Sequence, residues 1–115
     1  MLPFRERLTL SQRISEGARL RMMYPMRIPI ILERREKSTP RVSREKFLLH
    51  QEALGGELMV EVRRRTSLDE RSALFFSCGG QMITGMTEMK HLHSQHQDPS
   101  DGFLYVQYGV ESTFG

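Results

Sequence analysis

The sequence predicts an α+β domain: a four-stranded mixed sheet of the β-grasp type, with one or two additional N-terminal helices. Three observations carry this. Four short runs rich in β-branched and aromatic residues lie at 27–34, 45–50, 72–78 and 103–108. A single helix-period segment falls between the second and third runs, giving the order ββαββ with a central crossover helix. A helix start signal, Thr9-Leu-Ser-Gln12, stands well ahead of the first strand.

Each element has a local reason. Thr9 fits an N-cap and Gln12 the residue that reaches back to it, so a helix runs from there to about Met23. It stops before Pro25, because the residue preceding a proline avoids the helical region. Leu10, Ile14 and Ala18 recur at helical spacing and define its apolar face. Residues 2–8 form a shorter helix or an arm. In the first strand, residues 27–34, Pro29 cannot donate to a ladder and so belongs near the strand start or at a bulge. The charged, proline-broken segment 35–43 connects it to residues 45–50, the expected hairpin partner. Lysine, glutamate and histidine in that partner suit an exposed edge. Gly55-Gly56 introduces the next helix and adds flexibility before it. Leu54, Leu58 and Val62 fall at i, i+4 and i+8 with Met59 beside them, and Arg63-Arg64-Arg65 ends the helix favourably for its dipole. Ser72–Cys78 reads as a buried strand. Gly79-Gly80 opens a long connection with a short helix near 85–95, and Phe103–Tyr108 is the last strand.

The 115 residues suit one domain, divided into a helical extension (1–26), a sheet core (27–108) and a tail (109–115). The single cysteine, Cys78, leaves no internal disulfide framework and reads as a buried, reduced thiol. No apolar run approaches a membrane span, and the N-terminus lacks the apolar stretch of a signal peptide, so a cytoplasmic protein is expected. Residues 1–65 hold 15 Lys/Arg against 8 Asp/Glu, whereas residues 66–115 hold 2 against 6. The first half thus offers a basic surface to acidic peptides, tubulin-like tails or anionic lipid. Aromatic interleaving is sparse and no RNA-binding signature is present, so nucleic acid is not an expected partner.

The motifs together resemble one family. Arg13-Ile-Ser-Glu-Gly17, Tyr24-Pro25 followed by Arg27-Ile28-Pro29, Val62-Arg-Arg-Arg65, Ala73-Leu-Phe-Phe76, Phe103-Leu-Tyr-Val106 and a terminal aromatic-glycine appear in order from about residue 10 to Gly115. The chain resembles the autophagy-related ubiquitin-like modifiers, the family of the GABA-receptor-associated protein and the microtubule-associated light chain three. The resemblance implies a ubiquitin-like β-grasp fold and a conjugation chemistry. Gly115 would be activated, passed as a thioester between partner enzymes, and joined to the amine of phosphatidylethanolamine, giving a lipid-anchored pool on autophagosome membranes. Phe114 occupies the aromatic position before it. The implied partners are the activating and conjugating enzymes, a cysteine protease that processes or delipidates, cargo receptors and microtubules. The chain itself would not be an enzyme and would need no cofactor.

The resemblance also implies a docking face. An acidic aromatic-x-x-aliphatic segment adds as a strand to the edge Lys46-Phe47-Leu48-Leu49. The aromatic pocket maps to Glu16, Leu20, Pro29, Ile31, Lys46, Leu48 and Phe103. The aliphatic pocket maps to Phe47, Leu49, Leu58 and Val62, of which Leu58 and Val62 suit plain core packing best. Arg27 and Arg65 match arginines that meet acidic ligand residues. The chain departs from the family pattern at Met26, in place of an acidic residue, at His50, in place of proline, and at Glu61, in place of an apolar pocket residue. The alternative is a non-conjugated β-grasp module that binds acidic peptides or tubulin tails through its basic half.

Other constellations are weaker. His91, His93 and His96 have no nearby acid or cysteine to complete a metal site. Cys78 lies in an apolar strand, which favours an inert thiol. Asp69-Glu70 reads as a helix-end or loop cap rather than a catalytic dyad, and Gly79-Gly80 is followed by no Gly-Lys-Ser/Thr, so it is not a phosphate loop.

Overall fold

A computed structural model describes residues 2–69 and 71–112. Helices α1 (Phe4–Arg7) and α2 (Leu10–Met23) precede strands β1 (Arg27–Arg34) and β2 (Lys46–His50). Helix α3 (Gly55–Arg64) follows, then β3 (Ser72–Cys78), β4 (Gln81–Ile83), α4 (Met89–His96) and β5 (Leu104–Ser112). The strands form one mixed sheet in the order β2-β1-β5-β3-β4. Strand β1 pairs parallel with β5, and all other pairings are antiparallel. The expected β-grasp order is present, with β2 at an edge.

The fifth strand, β4, lies where the sequence reading expected a connection. It is three residues long, and of these only Ile83 is buried, so it carries no readable period. The signal was in the turn. Gly79 and Gly80 both adopt positive φ, 56° and 82°, the pair of conformations that a tight hairpin with native twist requires. Strand β5 also runs on to Ser112, past the expected end at Tyr108.

Alternation along the strands divides the interior in two. Ile28, Ile30 and Leu32 of β1, and Leu104, Val106 and Tyr108 of β5, face α3 and α4 and join a large core with Leu58, Val62, Met89 and Leu92. Cys78 belongs to this core, and burial pushes its thiol up to about 11. Ile31, Phe103 and Tyr105 face the other way and pack with Phe4 and Leu20. Pro29 fits the sheet without loss. The Leu32 N–H donates to the Glu45 carbonyl, so even-numbered β1 residues direct their amides at β2. Odd-numbered Pro29 faces the β5 side, where pairing begins only at Ile30.

Helix α2 starts as expected: Thr9 accepts the Gln12 N–H at 3.1 Å, and the Gln12 side chain accepts the Thr9 N–H at 2.8 Å. Its buried face differs from the expected one. Leu10 and Ile14 are exposed, whereas Gly17 and Leu20 are buried. The helix lies against the loop before β5, where the Asp101 carbonyl sits over Gly17 and the Arg13 Nε is 3.8 Å from the Asp101 carboxylate. That carboxylate is 1% exposed and accepts from the Phe103 N–H at 2.9 Å and the Tyr105 hydroxyl at 2.5 Å. Burial, reinforced by that bond, raises the Tyr105 pKa. Polar and small residues thus seat this helix, which is why apolar spacing pointed at its solvent side.

Candidate peptide-docking site

Strand β2 presents its outer edge to solvent, and its two faces lead to different surroundings. Because Glu45 bonds to β1, the alternate residues Lys46 and Leu48 direct their carbonyls outward. Two arginines meet them. Arg44 Nε donates to the Lys46 carbonyl at 2.7 Å, and Arg27 Nη1 donates to the Leu48 carbonyl at 3.2 Å.

One face of β2 carries Lys46 and Leu48, which register against Ile31 and Pro29 of β1. Leu20, Ile31 and Phe103 pack together in the smaller core, with Leu48 at its margin. Glu16 of α2 reaches across to Lys46 at 3.6 Å and also pairs with Arg19. Phe4, absent from the expected set, fills the space beneath. It is 3% exposed, stands edge-on to Phe103 with ring centroids 5.3 Å apart, and lies 5.8 Å from the Lys46 ammonium. Arg5 and Arg7 hold α1 down through Glu33, at 2.8 Å, and Glu45. The available sequence signal was Phe4 and Leu8 at i, i+4 within the short N-terminal segment.

The other face carries Phe47 and Leu49, and beside it a groove of about 650 Å³ opens between β2 and α3. Leu58 and Val62 do not line it; both are fully buried below, in the large core. The helix wall is made instead by Gly56, Glu57, Val60 and Glu61, and the strand side by Arg27, Arg44 and His50. Leu54 also lines it. Arg44 falls just outside both segments the sequence reading defined. Arg65 stands apart at the C-cap of α3, where its carbonyl accepts the Ser43 N–H at 3.1 Å.

The start of α3 is fixed rather than flexible. The Gly55 N–H donates to the Thr87 carbonyl at 2.7 Å and the Gly56 N–H to the Gly85 carbonyl at 3.0 Å. A Cβ on Gly55 would overlap the Thr84 carbonyl oxygen. The glycines expected to loosen this helix therefore let it close against the 84–87 loop and set one end of the groove.

Elsewhere, Asp69 caps the turn into β3 by accepting the Arg71 N–H at 2.8 Å. His93 Nε2 lies 2.9 Å from the Gly102 carbonyl and His96 Nε2 3.2 Å from Gln81 Oε1. Among the described residues no group of His, Cys, Asp or Glu is placed to hold a metal ion, and no helix is long and apolar enough to cross a membrane. Phe114 and Gly115 lie outside the described residues.

Known proteins share this sequence pattern and fold. A family model described as autophagy protein Atg8, ubiquitin-like, matches residues 12–115. The chain is 37% identical over 113 residues to autophagy-related protein 8d of Arabidopsis thaliana, covering 97% of this chain and 93% of that protein. It is 36% identical over 115 residues to protein lgg-2 of Caenorhabditis elegans, covering 97% and 88%. The crystal structure of Trypanosoma brucei ATG8 superimposes with a TM-score of 0.86 at 31% identity, covering 100% of this chain and 99% of that one. Plasmodium falciparum Atg8, solved in complex with a Plasmodium falciparum Atg3 peptide, superimposes at 0.81 with 24% identity, covering 97% and 98%, and so matches in fold. On sequence, sheet order and structural likeness together, this chain belongs to the Atg8 family of ubiquitin-like autophagy proteins.

Proposed function

We propose that this chain is a ubiquitin-like modifier joined through Gly115 to phosphatidylethanolamine, and that the anchored domain recruits partners along the β2 edge. The observation that carries the reading is an exposed β2 edge, flanked by a groove and by the Glu16–Lys46 margin, on a chain whose family match extends through residue 115.

The chemistry needs only a carboxylate. Adenylation of the Gly115 carboxylate by ATP releases pyrophosphate. An enzyme thiolate then displaces AMP to give a thioester, and the lipid amine displaces the thiolate to give an amide. Two acyl chains, at about 0.8 kcal/mol per buried methylene, anchor a domain that one chain would hold only marginally. Activating and conjugating enzymes act on the chain, a cysteine protease processes or delipidates it, and the chain itself catalyses nothing. Plasmodium falciparum Atg8, alike in fold, is solved with an Atg3 peptide, and a peptide at the β2 edge is the corresponding part of this reading.

In docking, an incoming strand takes the Lys46 and Leu48 carbonyls that Arg44 and Arg27 now occupy. The displaced guanidinium groups become available to acidic ligand residues, and the basic first half speeds the encounter. Cargo receptors that present an acidic segment with an aromatic first anchor, and acidic tubulin tails, are the partners of this chemistry. The protein would divide between a cytoplasmic pool and a pool on autophagosome membranes.

Reconstituted conjugation on phosphatidylethanolamine liposomes tests the reading. The expected result is an adduct whose mass maps to Gly115, absent from the Gly115→Ala variant. Equal lipidation of that variant would overturn Gly115 as the point of attachment, and absence of any adduct on the unchanged chain would leave a non-conjugated binding module.

A further inference from the structure

The groove beside Phe47 and Leu49 carries an acidic wall. Glu57 and Glu61 stand one turn apart on the same face of α3, and both line the groove with Val60 between them. Glu61 is paired with Arg64 at 3.2 Å, an exposed i, i+3 contact of the weak surface kind. Glu57 has no ion pair among the described residues. The groove therefore holds a carboxylate pair over an apolar floor, facing the arginines of the strand side.

A purely aliphatic side chain fits such a groove poorly. It would cover the floor but would offer nothing to the exposed Glu57 carboxylate, or to that of Glu61, which only a weak surface pair now engages. A long side chain with an apolar stem and a cationic head resolves both demands. Its methylenes cover Val60 and Leu54 while its head stays at the rim between Glu57 and Glu61.

We propose that the second anchor of this protein's peptide ligands is a lysine or arginine, seated with its stem on Val60 and its head between Glu57 and Glu61. The ligand class is then an extended peptide with acidic residues facing Arg27 and Arg44, an aromatic first anchor, and a cationic second anchor three positions later. This rests on the docking reading above. It goes beyond it in replacing the aliphatic anchor by a cationic one, so specificity comes from charge complementarity of the groove.

Three synthetic peptides test it, identical except for lysine, norleucine or glutamate at the second-anchor position. Norleucine keeps the lysine stem and removes the charge. By calorimetry at low salt, the lysine peptide should bind about tenfold tighter than the norleucine peptide, the scale of two partly exposed ion pairs. The glutamate peptide should be weakest. High salt should shrink the lysine advantage. The double variant Glu57→Gln/Glu61→Gln, checked for an unchanged melting temperature, should abolish it while keeping norleucine binding. Equal or tighter binding of norleucine would overturn the inference and leave the docking reading standing, as would a lysine advantage that persists in the double variant. Failure of all three peptides would remove both.

Discussion

The two sides of the sheet are held by different means. Toward α3 and α4, sixteen buried residues form one continuous apolar cluster among the described residues; toward α1 and α2, five do. The smaller side is completed by polar ties. The Thr9–Gln12 capping box sets the helix start, Asp101 is bound by Tyr105 and Phe103, Glu16 reaches Lys46, and Arg5 and Arg7 hold α1 through Glu33 and Glu45. Apolar packing is dense and hard to rearrange. Partly exposed ion pairs are individually worth little and exchange readily. The large side therefore sets the stability of the domain, and the small side keeps a margin whose contacts a ligand can replace.

Three substitutions would break or sharpen this contrast. Leu58→Ala empties a fully buried site in the large core and should lower the unfolding free energy by about 2–5 kcal/mol in urea denaturation. A loss under 1 kcal/mol would mean the large side does not dominate. Leu48→Ala touches the margin of the small side. It should weaken an acidic peptide with an aromatic first anchor about tenfold, near 1.4 kcal/mol, without unfolding the domain. Unchanged affinity by calorimetry would detach Leu48 from the docking face. Thr9→Ala removes one capping bond and should cost about 1 kcal/mol, read as a small downward shift in melting temperature. An effect as large as that of Leu58→Ala would erase the distinction between the two sides.

Legibility followed the same division. Strands β1 and β3 were readable to the residue, because runs of β-branched and aromatic side chains are what a half-buried pleated surface selects. Helix α3 was readable for its inner face: Leu58 and Val62 at i, i+4 are fully buried. Apolar spacing finds what is buried, and a surface groove is what is not. The residues that line it, Glu57, Val60 and Glu61, lie beside that stripe and mix charge with aliphatic surface, so no periodicity marks them. Glu61 could be placed only through resemblance to the family. The seating of α2 was hidden for the converse reason. Its contact surface is built from Gly17, Arg13, a backbone carbonyl and a single apolar anchor, Leu20, while Leu10 and Ile14 are left in solvent.

The arginine contacts on β2 have a consequence for the protein when it is alone. An uncovered edge strand is a template for any other extended chain, including a second copy of the same protein, and such pairing begins aggregation. Here two of the outward carbonyls are already engaged, by donors that carry positive charge. A second copy approaching edge to edge would bring its own arginines against these and be repelled. An acidic peptide meets the same groups as an attraction. The pair of side chains thus sorts visitors to the edge by the sign of their charge, holding off a second copy while favouring an acidic peptide.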